Sequence, residues 1–159
     1  MSTITMKQTT TLTPEQYVAG LTDFGPGRSQ LFANSADDAL VVHSTDPAAK
    51  WAHVTEGGGG VWERLHYDWS NPLQVVLSTT DSNVWGGASG HTYTFTPRAD
   101  GATDIELVTV REGKNLKGRM FGIVLGSAGK GLLTKAFARS VAVLERRNST
   151  AVSAMRRVP

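Results

Sequence analysis

Glu63 and His91 are the two side chains whose type and position suit them to acid–base chemistry. In the run Val61 to Trp69, counting by twos puts Val61, Leu65, Tyr67 and Trp69 on one face of an extended strand, with Glu63 among them. A carboxylate turned to an apolar face is costly unless paired, and such groups serve as general acids or bases. The plainer alternative is that Glu63, close to a strand end, reaches water. His91 shares a face with Tyr93 and Phe95 by the same counting. There it could donate to a ligand carbonyl or shuttle a proton. The plainer alternative is a structural histidine held by hydrogen bonds.

Other chemistries lack their residues. The chain has no cysteine, which excludes disulfides, thiol catalysis and thiolate metal sites. His43, His53 and His66 show no i, i+2 or i, i+4 spacing, and nothing in the sequence places them together, so no metal site is expected. His66 alternates with Trp62, Arg64 and Asp68 and is expected to face solvent. Gly126-Ser127-Ala128-Gly129-Lys130-Gly131 misses the first glycine of a phosphate loop and the Ser/Thr after its lysine. Gly87-Ala88-Ser89-Gly90 misses the spacing of a nucleophile elbow. No cofactor is expected. Of the four tryptophans, Trp85 lies in the loop Asp81 to Gly87 and is the candidate for a cavity entrance.

The elements that must position these residues follow from periodicity. Thr3 to Leu12 alternates as a half-buried strand. Thr13-Pro14-Glu15-Gln16 then reads as a capped helix start leading to Tyr17, Val18 and Leu21. A second short helix is expected from Arg28 to about Ala33, presenting Leu31 and Phe32. Strands are expected over Ala39 to Ser44, Lys50 to Glu56, Val61 to Trp69, Leu73 to Thr80, His91 to Thr96 and Thr103 to Glu112, with a hairpin turn at Asp100-Gly101. From Leu116 to about Arg147 the period becomes helical, with Phe121, Val124, Leu125, Ala128, Leu132, Ala136, Ser140 and Leu144 on one stripe. Five glycines between Gly118 and Gly131 weaken this stretch, each by about 1 kcal/mol relative to alanine. They either loosen the helix or permit close backbone approach to a strand or ligand. Strands grouped ahead of one long helix argue α+β with an antiparallel sheet, because parallel strands need a crossover each time. A sheet bent around such a helix leaves a hollow suited to a ligand.

Charge is distributed unevenly. Residues 1–113 carry 6 Lys+Arg against 13 Asp+Glu, whereas residues 114–159 carry 10 against Glu145 alone, for a net +2. A solvated basic helix face accounts for this; attraction to an anionic membrane or an acidic partner is the functional alternative. No aromatic–basic interleaving on a strand accompanies the charge, so nucleic acid is not expected. Nothing at the N-terminus resembles a signal peptide and no apolar run reaches a membrane span, which points to a cytoplasmic protein. The expected organisation is one domain over residues 1–148 followed by a disordered basic tail, 149–159.

The opening strand, the Thr13-Pro14-Glu15-Gln16 helix start, the Trp62 to Pro72 strand with its Asn71-Pro72 break, the hairpins to Glu112 and the final helix ending in Leu144-Glu145-Arg146-Arg147 resemble the START/Bet v1-like (SRPBCC) superfamily. That superfamily includes the polyketide cyclase/dehydrase and lipid-transport group. The resemblance covers about residues 3–147. It implies a helix-grip fold: a curved antiparallel sheet wrapped around a long C-terminal helix, two short helices after strand 1, and an elongated apolar cavity. It implies binding or transport of a hydrophobic small molecule such as a lipid or polyketide, with a polyketide cyclase/aromatase-like enzyme as the alternative. A partner-binding module acting through the basic helix edge is a third class. The residues expected to line the cavity are Tyr17, Phe32, Glu63, Leu65, Tyr67, Trp69, Trp85, His91, Tyr93, Phe95, Phe121, Leu125 and Leu132. Glu63 and His91 are the candidates for catalysis.

Overall fold

The structure, a computed structural model, describes residues 1–158; Pro159 lies outside the described residues. The chain forms β1 (Ser2–Thr10), α1 (Pro14–Leu21), a 3₁₀ turn (Arg28–Gln30), β2 (Val41–Asp46), β3 (Trp51–Gly58), β4 (Val61–Asp68), β5 (Gln74–Ser82), β6 (Gly90–Pro97), β7 (Thr103–Arg111), α2 (Leu116–Ser127) and α3 (Gly129–Met155). The strands make one antiparallel sheet in the order β1-β7-β6-β5-β4-β3-β2. Consecutive strands are hairpin neighbours from β2 to β7, and β1 closes against β7 with Ser2 opposite Arg111 and Thr10 opposite Thr103. This is the helix-grip architecture: a curved sheet holding a C-terminal helix.

Strand alternation builds the inner face. Ile4 and Met6 of β1, Ala52 and Val54 of β3, Leu65 and Tyr67 of β4, Val75 and Leu77 of β5, Tyr93 and Phe95 of β6, and Ile105 and Leu107 of β7 are all buried. Against them α3 lays Phe137, Val141 and Leu144. The helix is also tied at its flanks. Glu145 accepts hydrogen bonds from the Thr10 hydroxyl (2.8 Å) and the Thr11 amide (3.1 Å), and Arg147 donates to the Gly27 carbonyl (2.7 Å). The capping box of α1 forms as the sequence implies. The Gln16 amide donates to the Thr13 hydroxyl, and the Gln16 side chain accepts from the Thr13 amide.

Three expectations change. The second short helix contracts to a single 3₁₀ turn, Arg28–Gln30. The long helical stretch is two helices meeting at Ala128, which ends α2 and precedes α3. The Ser127 hydroxyl there bonds back to the carbonyls of Ile123 (2.9 Å) and Val124 (3.4 Å), a contact that bends helices. Leu132 and Ala136, expected on the inward stripe, are exposed, whereas Phe137 is buried and Leu133 packs against the core; each step of four advances about 40° around the helix, so a stripe built on such steps drifts off the inward face. Finally, residues 149–155 are helical rather than disordered, since α3 runs to Met155.

The glycines of α2 are explained by approach. A Cβ on Gly118 would collide with the Val84 carbonyl oxygen, and one on Gly126 would press on Ser2, whose hydroxyl donates to the Gly122 carbonyl (2.8 Å). Gly131, by contrast, has open space where a Cβ would go. Gly118→Ala should therefore destabilise by about 1–3 kcal/mol through overpacking. Gly131→Ala should stabilise by up to about 1 kcal/mol. Denaturant midpoints of the two variants measure the difference; a Gly118→Ala protein as stable as the parent would remove the close-approach account.

Candidate functional site

The inner face carries a polar end as well as an apolar one. On β3 the inward alternation Ala52, Val54 continues to Glu56, and on β4 it begins at Glu63; the register places these two carboxylates directly opposite each other. Both are buried. Like charges opposed on one face repel, so each needs its own cation. Glu56 pairs with Arg28 and Glu63 with Arg111.

Arg28, 1% exposed, comes from the 3₁₀ turn. Besides Glu56 it donates to the carbonyls of Leu21 (3.0 Å) and Asp23 (2.8 Å) and to the Tyr67 hydroxyl (2.9 Å), which in turn donates to Glu56 (3.0 Å). The rings of Phe24 and Phe32 lie 4.7 and 4.9 Å from its guanidinium carbon. Arg111, at the end of β7, meets Glu63 with both prongs of its fork, at 2.6 and 3.0 Å. Its Nη2 also lies 2.8 Å from His91 Nε2, and Trp85 stacks on it at 5.1 Å. The Thr79 hydroxyl adds a bond to Glu63 at 3.1 Å.

This geometry fixes the state of His91. A guanidinium can only donate, so Nε2 accepts, and Nδ1 carries the proton that it donates to the Thr109 hydroxyl at 3.0 Å. Burial, reinforced by the positive charge of Arg111, pushes the imidazole pKa well below its ordinary value. Glu63 and His91 are thus brought together, but both are bound to Arg111.

Beyond the ion pairs the interior is aromatic. Tyr17 lies 5.5 Å from Phe95 and 6.3 Å from Tyr93, and Tyr93 lies 6.3 Å from Phe137, ring centre to ring centre. Burial, and secondarily Tyr93, raises the Tyr17 phenol well above its usual range, and burial raises Tyr93 likewise, so both remain O–H groups. Among the described residues neither hydroxyl bonds to another protein group, unlike that of Tyr67, and the one fully buried side-chain polar atom without a partner is the Ser35 hydroxyl.

Of the residues expected at the site, Tyr17, Leu65, Tyr67, Tyr93 and Phe95 lie in the buried interior with Glu63, and Leu125 packs half-buried at its edge. Phe32 covers Arg28. Glu63 does not reach water at a strand end; its strand partner β5 and Arg111 enclose it. Trp85 stands over Arg111, buried, rather than at an entrance. Phe121 and Leu132 point outward, 37% and 71% exposed, because α2 turns its glycines to the protein and the expected stripe, stepping by fours, drifts around the helix. On the other side of the sheet His53 and His66, which the sequence left apart, meet across β3 and β4 at 3.0 Å. Sequence reasoning missed Arg28, Glu56 and Arg111. Period two identifies Glu56 after Ala52 and Val54, and Arg111 after Ile105, Leu107 and Thr109; nothing in the loop sequence marks Arg28.

Two open concavities of about 440 Å³ each adjoin the interior. One lies outside α1, lined by Val18, Ala19, Phe24, Pro47, Trp69 and Pro72 with Glu15 and Lys50 at its edges. Its Phe24 ring stands edge-on to Tyr67 at 5.1 Å and 4.7 Å from the Arg28 guanidinium carbon, so the groove touches the Arg28 network. The second lies between the start of β1, the end of β7 and α2.

No protein-family model matches the sequence, and no curated protein matches it. Solved structures do. A START superfamily protein from Mycobacterium smegmatis superposes with a TM-score of 0.67 at 12% identity, over 95% of this chain and 99% of that one. The Zhui aromatase/cyclase from Streptomyces sp. R1128 gives 0.67 at 10% identity, over 91% and 94%. The chain shares the helix-grip fold of these structures. The di-domain ARO/CYC StfQ of the steffimycin biosynthetic pathway also matches, with a TM-score of 0.55 at 14% identity, over 92% of this chain and 46% of that one. The START-like frame therefore accounts for the sheet and the helices that place both ion pairs.

Removing one member of a buried pair strands the other. Arg111→Met should cost about 3–5 kcal/mol, and adding Glu63→Gln should recover much of it, because no uncompensated charge then remains. A double-mutant cycle in urea measures this; simple additivity would show that the pair is not coupled. His91 adds a pH dependence. Its folded pKa lies below the unfolded value of about 6.5, so beneath that pH the unfolded chain binds a proton that the folded chain refuses. Stability should fall on acidification through about pH 6.5, by at most about 1.4 kcal/mol per unit from this group, until the folded pKa is reached. His91→Gln should flatten that slope by one proton in a Tm-versus-pH series.

Proposed function

We propose that residues 1–148 form one domain that binds a hydrophobic small molecule bearing an oxygen function and carries it without converting it. The observation that supports this most directly is the pair of buried phenols, Tyr17 and Tyr93, set in an aromatic interior with hydrogen-bonding capacity unspent. An apolar ligand body gains from the rings of Phe95, Tyr93 and Phe137, while a ligand carbonyl or hydroxyl answers Tyr17 and Tyr93. The groove outside α1 offers the approach: Val18 and Ala19 face it while Tyr17 and Leu21 of the same helix face the interior. Displacing α1 would open a way from the groove to the rings of Tyr93 and Phe95. Among the described residues no helix is long and apolar enough to cross a membrane.

A polyketide cyclase/aromatase-like enzyme is the second reading, favoured by the convergence of Glu63 and His91 on Arg111 and by the aromatase/cyclases among the structural matches. It is weaker because these groups satisfy one another. The carboxylate already receives both prongs of the guanidinium, and the only basic nitrogen of His91 is already accepting. A general base must have a lone pair free for the substrate's proton.

The carrier reading predicts that a panel of fatty acids and aromatic ketones raises the melting temperature, since binding to the folded state alone stabilises it. Tyr93→Phe should weaken oxygen-bearing ligands by up to about tenfold and leave their hydrocarbon analogues unchanged, the worth of one hydrogen bond. Isothermal titration of ligand pairs reads this out. Equal losses for both members of each pair would remove the phenol from recognition, and turnover of a polyketide analogue that falls about 10²–10⁴-fold in His91→Gln would favour the enzyme.

A further inference from the structure

α2 is built inside out. Its glycine face meets the protein, with Gly118 on the Val84 carbonyl and Gly122 and Gly126 on Ser2, while its large apolar side chains face away. Leu116, Met120, Ile123 and Val124 are 76%, 60%, 70% and 57% exposed. At the helix's ~100° per residue these four, with Phe121, span an arc of about 160°. Arg119 stands just outside the Ile123 border of that arc and Lys117 stands within it, between Val124 and Phe121; both are exposed, and Lys117 reaches back over the Phe121 ring at 5.7 Å. From Gly113 to Leu144 the sequence holds six lysines and arginines (Lys114, Lys117, Arg119, Lys130, Lys135 and Arg139) and no acidic residue. Of these only Lys114 forms an ion pair among the described residues.

An ordinary surface helix turns its apolar stripe inward and its charges outward. Here the apolar arc is outward, with one long cationic side chain beside it (Arg119) and one within it (Lys117), each able to bend toward the headgroups. That is the layout of a helix lying in a lipid–water interface, with apolar residues in the acyl boundary and Lys or Arg among anionic headgroups. The arc is made of Leu, Met, Ile, Val and Phe side chains, with polar atoms only from Lys117 and Ser127, so it offers little directional recognition to a protein surface. The unopposed positive charge selects an anionic partner and works against a second copy of the same basic helix.

We propose that α2 is an interfacial docking helix that seats this protein on an anionic lipid surface. Leu116, Met120, Ile123 and Val124 enter the acyl boundary, and Lys117 and Arg119 engage the headgroups. The inference stands independently of what the interior binds. It also gives the concavity beside α2, lined by Arg119, Gly122 and Ile123, a position next to the lipid.

Vesicle co-sedimentation of the full chain tests it, with vesicles of phosphatidylcholine alone and of equimolar phosphatidylcholine and phosphatidylglycerol. Binding should be confined largely to the anionic vesicles and weaken with salt. Met120→Asp and Ile123→Asp should each reduce binding by about tenfold or more, and Lys117→Ala and Arg119→Ala by about fivefold each. These side chains are exposed, so Tm should stay within a few degrees of the parent and confirm folding. Ala19→Trp, in the groove outside α1, should leave vesicle binding unchanged. Failure to sediment with anionic vesicles, binding undiminished in Ile123→Asp, or a free-protein dimer in sedimentation velocity that Ile123→Asp dissociates would each overturn the proposal.

Discussion

The opposition of Glu56 and Glu63 across β3 and β4 is the constraint that organises this molecule. Two carboxylates on adjacent strands, facing inward, cannot be buried without a cation each, and the fold draws those cations from opposite directions. Arg28 arrives from the turn after α1, and Arg111 from the end of β7 on the far side of the sheet. Every element that brings an arginine inward is thereby fixed relative to β3 and β4. Buried ion pairs contribute little net stability compared with apolar packing of the same volume, yet losing one partner is severe. Their effect here is on geometry: the 3₁₀ turn has few apolar residues of its own to set its place, and the Arg28 bonds to Leu21, Asp23, Glu56 and Tyr67 set it.

The same arrangement divides the interior into two chemical zones. At the ion-paired end, carboxylate, guanidinium, imidazole and hydroxyl groups are matched to one another. Toward α3 the rings of Tyr17, Tyr93, Phe95 and Phe137 form a surface in which polarity is confined to two phenols. A guest oriented by such an interior would find its direction set by where those hydroxyls lie, because the matched end offers it no open valence. The division favours recognition over reaction.

The sheet was legible because period two is unambiguous once an inner face is aromatic or branched: Leu65 and Tyr67, Tyr93 and Phe95, Ile105 and Leu107 all fall where alternation puts them. Glu63 and His91 were found on the inner face by the same count, and Arg111 stood within its reach. What alternation could not supply was partnership. Whether Glu63 is a free acid or half of an ion pair depends on a residue 48 positions away, and Arg28 sits in a loop without any period. On the helical side the error had a local cause. Steps of four advance about 40° each around the helix, and Phe121 and Leu132 were misplaced because the stripe drifted by such steps and because α2 docks by its glycines rather than its large side chains.

The break at Ala128 also separates the two helices in register. Within an unbroken helix, one inserted residue rotates everything on its far side by about 100°, which would swing Phe137, Val141 and Leu144 off the sheet. With the junction at Ala128, the phase of α3 is set by its own contacts to Thr10, Thr11, Gly27 and Leu31. Those contacts, made by Ser140, Glu145 and Arg147, hold the gripped face of α3 wherever α2 ends.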